Sequence, residues 1–153
     1  MTPIGDILHP DHVNLSLSAT GKKEAVEEVL SKLNGDVRVK DFSIFREAVI
    51  ARDAAAISEN HCGICIAHGR TESVSGLVLA AGRSAAGFPC REVPDPVHRV
   101  FVAGIPGTFN SEALRIVGAI ARICRDRHQL DRLIAAKTAE QFIALLSAGE
   151  VRL

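Results

Sequence analysis

Two apolar runs, Gly76 to Ala81 and Arg99 to Ala103, are nearly unbroken by polar residues. A strand with one wet face alternates apolar and polar positions; a strand covered on both faces has no such need. These runs therefore predict sheet strands with cover on both sides. A shorter run, Ile64 to Ala67, reads as a third buried strand within Gly63 to Ala67. Val13, Leu15 and Leu17 alternate with Asn14 and Ser16, the period of a half-buried strand.

Helical spacing supplies the cover. Lys22 to Leu33 places Val26, Val29, Leu30 and Leu33 on one face, with Thr20 as the predicted cap and Asn34-Gly35 as the stop. A second helix is predicted from Phe42 to about Arg52, burying Phe42, Phe45 and Val49 and carrying Arg52 at its end. A cation is favoured there by the helix dipole. A Gly/Pro-rich stretch, Gly82 to Pro96, reads as a loop. Ile105-Pro106-Gly107 turns into a helix from about Ser111 to Arg127, burying Leu114, Val117, Ile120, Ala121 and Cys124. Thr138 and Gln141 form a capping box for a last helix ending before Gly149. Strands interleaved with helices predict an α/β single-domain sandwich. With 153 residues, the chain is expected to be one domain, residues 1–153, with a substantial core.

Composition narrows the function classes. Lys plus Arg equals Asp plus Glu at 18 each, so the basic footprint of a nucleic-acid binder is missing. No apolar run approaches the roughly 20 residues of a membrane span, and no secretory leader is evident. The four cysteines suit a reducing cytoplasm better than a disulfide scaffold. The chain has neither Trp nor Tyr, so the usual stacking platforms for bases and sugars are missing.

His68 is the residue with the clearest chemistry. It follows the run Ile64 to Ala67 and precedes Gly69, so it is expected where the chain leaves the sheet, with Gly69 free to turn sharply. Histidine is both a nucleophile and a group that titrates near neutral pH. Arg52 stands 16 residues earlier, and a guanidinium presents a planar fork of hydrogen-bond donors. The neighbouring His61-Cys62-Gly63-Ile64-Cys65 has a Cys-x-x-Cys spacing. On a strand, however, Cys62 and Cys65 point to opposite faces, and His61 lies on the order of 13 Å from Cys65. No metal is expected, and the cysteines read as small core residues. Arg70 is either a second cation at the site or solvated surface. Thr71, Ser73 and Ser75 are hydroxyls near it, and Asp53 and Glu59 are candidates to orient side chains. His9, His12, His98 and His128 show no partner spacing and read as structural or exposed.

These segments together resemble a family. Gly63-Ile64-Cys65-Ile66-Ala67-His68-Gly69 and Ala51-Arg52-Asp53 resemble the motifs of enzyme IIA of the bacterial sugar phosphotransferase system, fructose and mannitol class. Ile7-Leu8-His9-Pro10-Asp11-His12-Val13 resembles the opening of its nitrogen-regulatory branch, and Pro96 to Val102 and Glu112 to Ile116 align in order. The resemblance implies a mixed β-sheet flanked by helices on both faces. It implies that His68 accepts a phosphoryl group from the histidine phosphocarrier protein, with Arg52 beside it. Gly69, Arg70 and Ala113 would be phosphoryl-site neighbours. The group would pass to an enzyme IIB or act as a regulatory mark toward a target protein, with no cofactor. The free-standing form tilts the reading toward nitrogen-type regulation. The chain departs from the motifs at Ala67, where the family has proline, and at Ala113, where it has a second histidine. The rival reading is a degenerate IIA-like module that binds partners without turnover.

Overall fold

The computed structural model describes the chain except residues 1–3, 53, 60–61, 109–110, 112–114, 116–117, 121, 123–125 and 152–153; for residues 55–59, 62, 127, 130 and 149–151 it describes the backbone alone. The strands are β1 (Val13–Asn14), β2 (Ala55–Glu59), β3 (Cys62–Thr71), β4 (Val78–Cys90) and β5 (Val93–Pro106), in the spatial order β1-β4-β5-β3-β2. β1 runs parallel to β4, and β3 runs parallel to β5; β4–β5 and β2–β3 are antiparallel. This is the mixed sheet that the family resemblance implies.

Both faces are covered. Helices α2 (Lys22–Leu30) and α3 (Phe42–Ile50) lie on one face. There Val26, Val29, Leu30, Phe45 and Val49 pack against Cys65, Ala67, Val78, Ala80, Val100 and Val102. On the other face lie α1 (Ile4–Ile7), α4 (Arg127–Ala135) and α5 (Ala139–Val151). Ile4, Leu133, Phe142 and Leu146 pack there against Ile64, Ile66, Leu79, Ala81, Phe101 and Ala103. Successive strand residues alternate between the two cores, as the pleat requires. This explains why the apolar runs are unbroken.

Local details correct several expectations. Thr20 does not cap α2: Gly21 holds the N-cap position without a side-chain bond. The entering segment is held instead from within the helix, where Glu28 Oε1 accepts the backbone N–H groups of Ser18 (3.2 Å) and Ala19 (3.0 Å). The α-helix stops at Leu30, and a 3-10 turn, Ser31–Leu33, carries the chain to Asn34 and to Gly35 at φ +97°. β1 is only two residues long. Asn14 Oδ1 captures the Ser16 N–H at 2.9 Å, which bends the chain out of the ladder.

The largest correction concerns 82–96, which is strand on both sides of a two-residue turn at 91–92 rather than loop. β4 and β5 form one long hairpin whose pairing continues to Cys90↔Val93. Its irregularity is confined to register shifts between Arg83 and Cys90, where Gly87 adopts φ +75°. His98 Nδ1 donates to Ser84 O at 2.9 Å, and Gly87 N donates to Ser84 Oγ at 3.0 Å, closing the bulge. Ser111, Arg115, Gly118 to Ile120 and Arg122 are helical, and Ile120 is buried as expected. Leu114, Val117, Ala121 and Cys124 lie outside the described residues. The helix of this region does not run on through Arg127. Asp126 starts α4, accepting from the N–H groups of His128 (2.9 Å) and Gln129 (3.3 Å). Thr138 Oγ1 accepts from Gln141 N (3.1 Å), and Gln141 Oε1 reaches back to Lys137 N (2.8 Å), a capping box displaced by one residue. That last helix continues to Val151.

Candidate functional site

His68 lies inside β3, not at its end. The strand continues to Thr71, and His68 pairs with Ala103 of β5 while Gly69 pairs with Gly104. Strand alternation puts His68 on the face of Ile64 and Ile66. These two are buried and His68 is half-buried, so the core gives out at this residue. The sequence reading ended the strand early because glycine and arginine follow. Parallel pairing with β5 supplies the hydrogen bonds that carry it four residues further.

Arg52 arrives from the other side of the sheet. Helix α3 starts at Asp41, whose carboxylate accepts from Ile44 N at 3.2 Å, and it ends at Ile50 rather than Arg52. Phe45 and Val49 anchor it to the sheet, and Phe42 is only partly buried. The chain then passes into β2, where Ala55 stands opposite Ile66. This route carries Arg52 past the exposed end of β3. Arg52 Nη1 lies 2.5 Å from His68 Nε2.

That contact specifies the proton state of the ring. A guanidinium has donors and no acceptor, so Nε2 must offer its lone pair to Arg52. The proton of the neutral imidazole then sits on Nδ1. Burial first, and the Arg52 charge second, hold His68 below the ordinary histidine pKa of 6.5. The ring is therefore neutral near pH 7, with an unprotonated nitrogen facing a cation that can hold anionic oxygens.

Arg70 is exposed and committed to the backbone. Its Nε and Nη2 donate to Gly107 O at 3.0 and 2.5 Å, tying β3 to the turn that follows β5. The hydroxyls beyond it serve the loop: Thr71 Oγ1 accepts from Ser73 N (3.2 Å), and Ser75 N donates to Arg38 O (2.8 Å). Ala113 and Asp53 lie outside the described residues, as does the side chain of Glu59. His61 is also outside them; Cys62 and Cys65 both belong to β3, and Cys65 is buried. His9 and His128 are exposed.

The sequence reading missed a polar group that ties together the segments around His12, Asp36 and Leu77. Asp36 accepts from Arg38 Nε and Nη2, both at 3.0 Å, and lies 3.6 Å from His12 Nε2. Arg38 Nη1 also donates to Leu77 O at 3.1 Å. The pair Asp36-x-Arg38 was its only local signal. His12, read as structural or exposed, is largely buried here, and burial lowers its pKa.

The family model for the phosphoenolpyruvate-dependent sugar phosphotransferase system, EIIA 2, matches residues 6–149. The chain belongs to this EIIA 2 family. Among relatives of this EIIA 2 chain, a nitrogen regulatory protein from Bradyrhizobium diazoefficiens is 25% identical over 148 residues, covering 95% of each chain. The mannitol-specific phosphotransferase enzyme IIA component of Bacillus subtilis is 31% identical over 146 residues, covering 92% of this chain and 96% of that one. The chain spans only 23% of the fructose-specific EIIABC component of Bacillus subtilis, at 21% identity. The fold is that of the nitrogen regulatory protein IIA-Ntr from Neisseria meningitidis (TM-score 0.78, 23% identity, covering 94% of this chain and 98% of that one). It is also that of the enzyme IIA of a mannitol IIA–phosphorylated IIB complex from Escherichia coli (TM-score 0.74, 16% identity, covering 92% and 96%). Among the described residues, no helix is long and apolar enough to cross a membrane.

Proposed function

We propose that this EIIA 2 domain, residues 1–153, is a phosphoryl carrier that accepts its group on His68 Nε2. The observation that supports this reading most is the 2.5 Å approach of Arg52 to that nitrogen from 16 residues away. The nucleophile must be neutral, and burial and the Arg52 charge both favour the neutral ring. As the Arg52 N–H turns from Nε2 to the incoming phosphoryl oxygens, the freed lone pair forms the new Nε2–P bond, while the N–P bond of a donor phosphohistidine breaks and the donor imidazole leaves with the electron pair. Negative charge on the equatorial oxygens is held by Arg52 through directed hydrogen bonds.

The donor is the histidine phosphocarrier protein, and the reaction takes place in the cytoplasm. The likeness to a nitrogen regulatory protein along 95% of both chains supports a regulatory role. The phosphoryl group then marks the protein for a target, or passes to an enzyme IIB as in sugar uptake. Enzyme I, phosphocarrier and phosphoenolpyruvate test the proposal directly. One acid-labile phosphoryl group per chain is expected, and His68→Ala removes it while leaving the fold intact. Labelling that survives His68→Ala overturns the assignment. A wild-type chain that takes no label but binds the phosphocarrier supports the non-catalytic module instead.

A further inference from the structure

We propose that Gly69 positions Arg52: its missing side chain lets the last turn of α3 lie directly on β3 and so sets the guanidinium against His68. The inference rests on the reading of His68 and Arg52 as the transfer pair. Gly69 is not a turn residue. It is paired within the sheet, and positive φ is found instead at Gly35 and Gly87. What the position cannot accept is a Cβ. An atom added there would meet Val49 Cγ2 at 2.8 Å, Val49 N at 3.0 Å and Ala48 C at 3.3 Å. Two of these three are backbone atoms and cannot rotate aside.

Ordinary contact between such atoms is about 3.5–4.0 Å, so a side chain at 69 would push Val49 Cγ2 aside and drive the Val49 backbone away by roughly a few tenths of an ångström. Arg52 hangs from that backbone: its N–H donates to Val49 O at 3.3 Å. The displacement is therefore delivered one turn from its origin to the residue that touches His68. Gly104, opposite Gly69 in the ladder, completes the floor. A Cβ there would meet Val78 Cγ2 of β4 at 2.5 Å and Phe45 Cζ, on the preceding turn of the same helix, at 3.0 Å. Two paired glycines thus let one helix sink onto two strands.

Gly69→Ala tests this in the full chain. The phosphoryl-transfer rate is expected to fall about tenfold, because sub-ångström misplacement of a transition-state donor is costly. The His68 ring, followed by NMR titration, is expected to titrate at higher pH as Arg52 retreats. That second readout needs no phosphoryl transfer, so it separates failure of this inference from failure of the carrier reading. Val29→Ala, a core deletion on α2, is the stability control and should leave the titration unmoved. In an Arg52→Ala background, Gly69→Ala should have no further effect on His68. If Gly69→Ala proves too unstable, Gly69→Ala/Val49→Ala removes the 2.8 Å side-chain clash and keeps the backbone one. A folded variant with unchanged titration and rate overturns the inference. So does an effect on His68 that persists without Arg52.

Discussion

Replacing Arg52 is the sharpest test of the site. The guanidinium meets His68 Nε2 at 2.5 Å, yet Arg52 itself is solvent-exposed. In the free protein such a contact is screened and contributes little to stability. On the proposed carrier function, its value arises when a docked donor excludes water and charge spreads over the transferring oxygens. One charge-assisted hydrogen bond contributes roughly 1.5–3 kcal/mol, and each ~1.4 kcal/mol is tenfold in rate. A fork that loses both of its bonds should therefore slow transfer by at least about 10²-fold. Arg52→Lys should recover part of this, supplying charge without the planar pair of donors. Arg52→Ala should also move the His68 titration upward, but not fully back to 6.5, because burial is the larger cause of the depression. Rapid-quench measurement of transfer from phosphorylated donor, paired with NMR titration of the ring, reads both effects. A normal transfer rate in Arg52→Ala, at preserved fold, refutes the argument.

Two further outcomes are expected. His68 and His12 both have folded pKa values below the ordinary 6.5, so in that interval the unfolded chain binds more protons. Their contribution to stability is complete above pH 6.5 and is lost as pH falls through the folded values; urea midpoints between pH 7.5 and 5 should decline, and less steeply in His68→Gln, whereas an identical slope in that variant removes His68 from the account. At position 113 alanine offers no donor, so Ala113→His should accelerate phosphorylation of His68 by about ten- to a hundredfold without becoming a stable acceptor itself; equal single-turnover rates would show that the site works without that imidazole.

What the chain carries locally was legible from it. Helical spacing identified the buried faces of α2 and α3, including Val26, Val29, Phe45 and Val49. Unbroken apolar runs identified strands with two covered faces. The motifs around Arg52 and His68 pointed to the two residues that meet. Each signal depends on neighbours within a few positions, and the physics of spacing and burial acts at that range.

What depends on a distant partner was not legible. The Gly/Pro-rich stretch after Ala81 looks like a loop until β5 lies alongside to pair with it, and only a register shift with Gly87 at positive φ makes the pairing possible. Thr20 looks like a cap until Glu28, nearly two turns into the helix, takes the N–H groups of Ser18 and Ala19. Gly69 shows the difference most directly. By itself the sequence establishes a residue without a side chain, and local chemistry reads that as freedom to turn. Only the tertiary structure decides that the absent atom matters because Val49 and Ala48, some twenty residues earlier, occupy its place. A glycine's φ range belongs to the residue itself, whereas the space around it belongs to whatever the fold brings there.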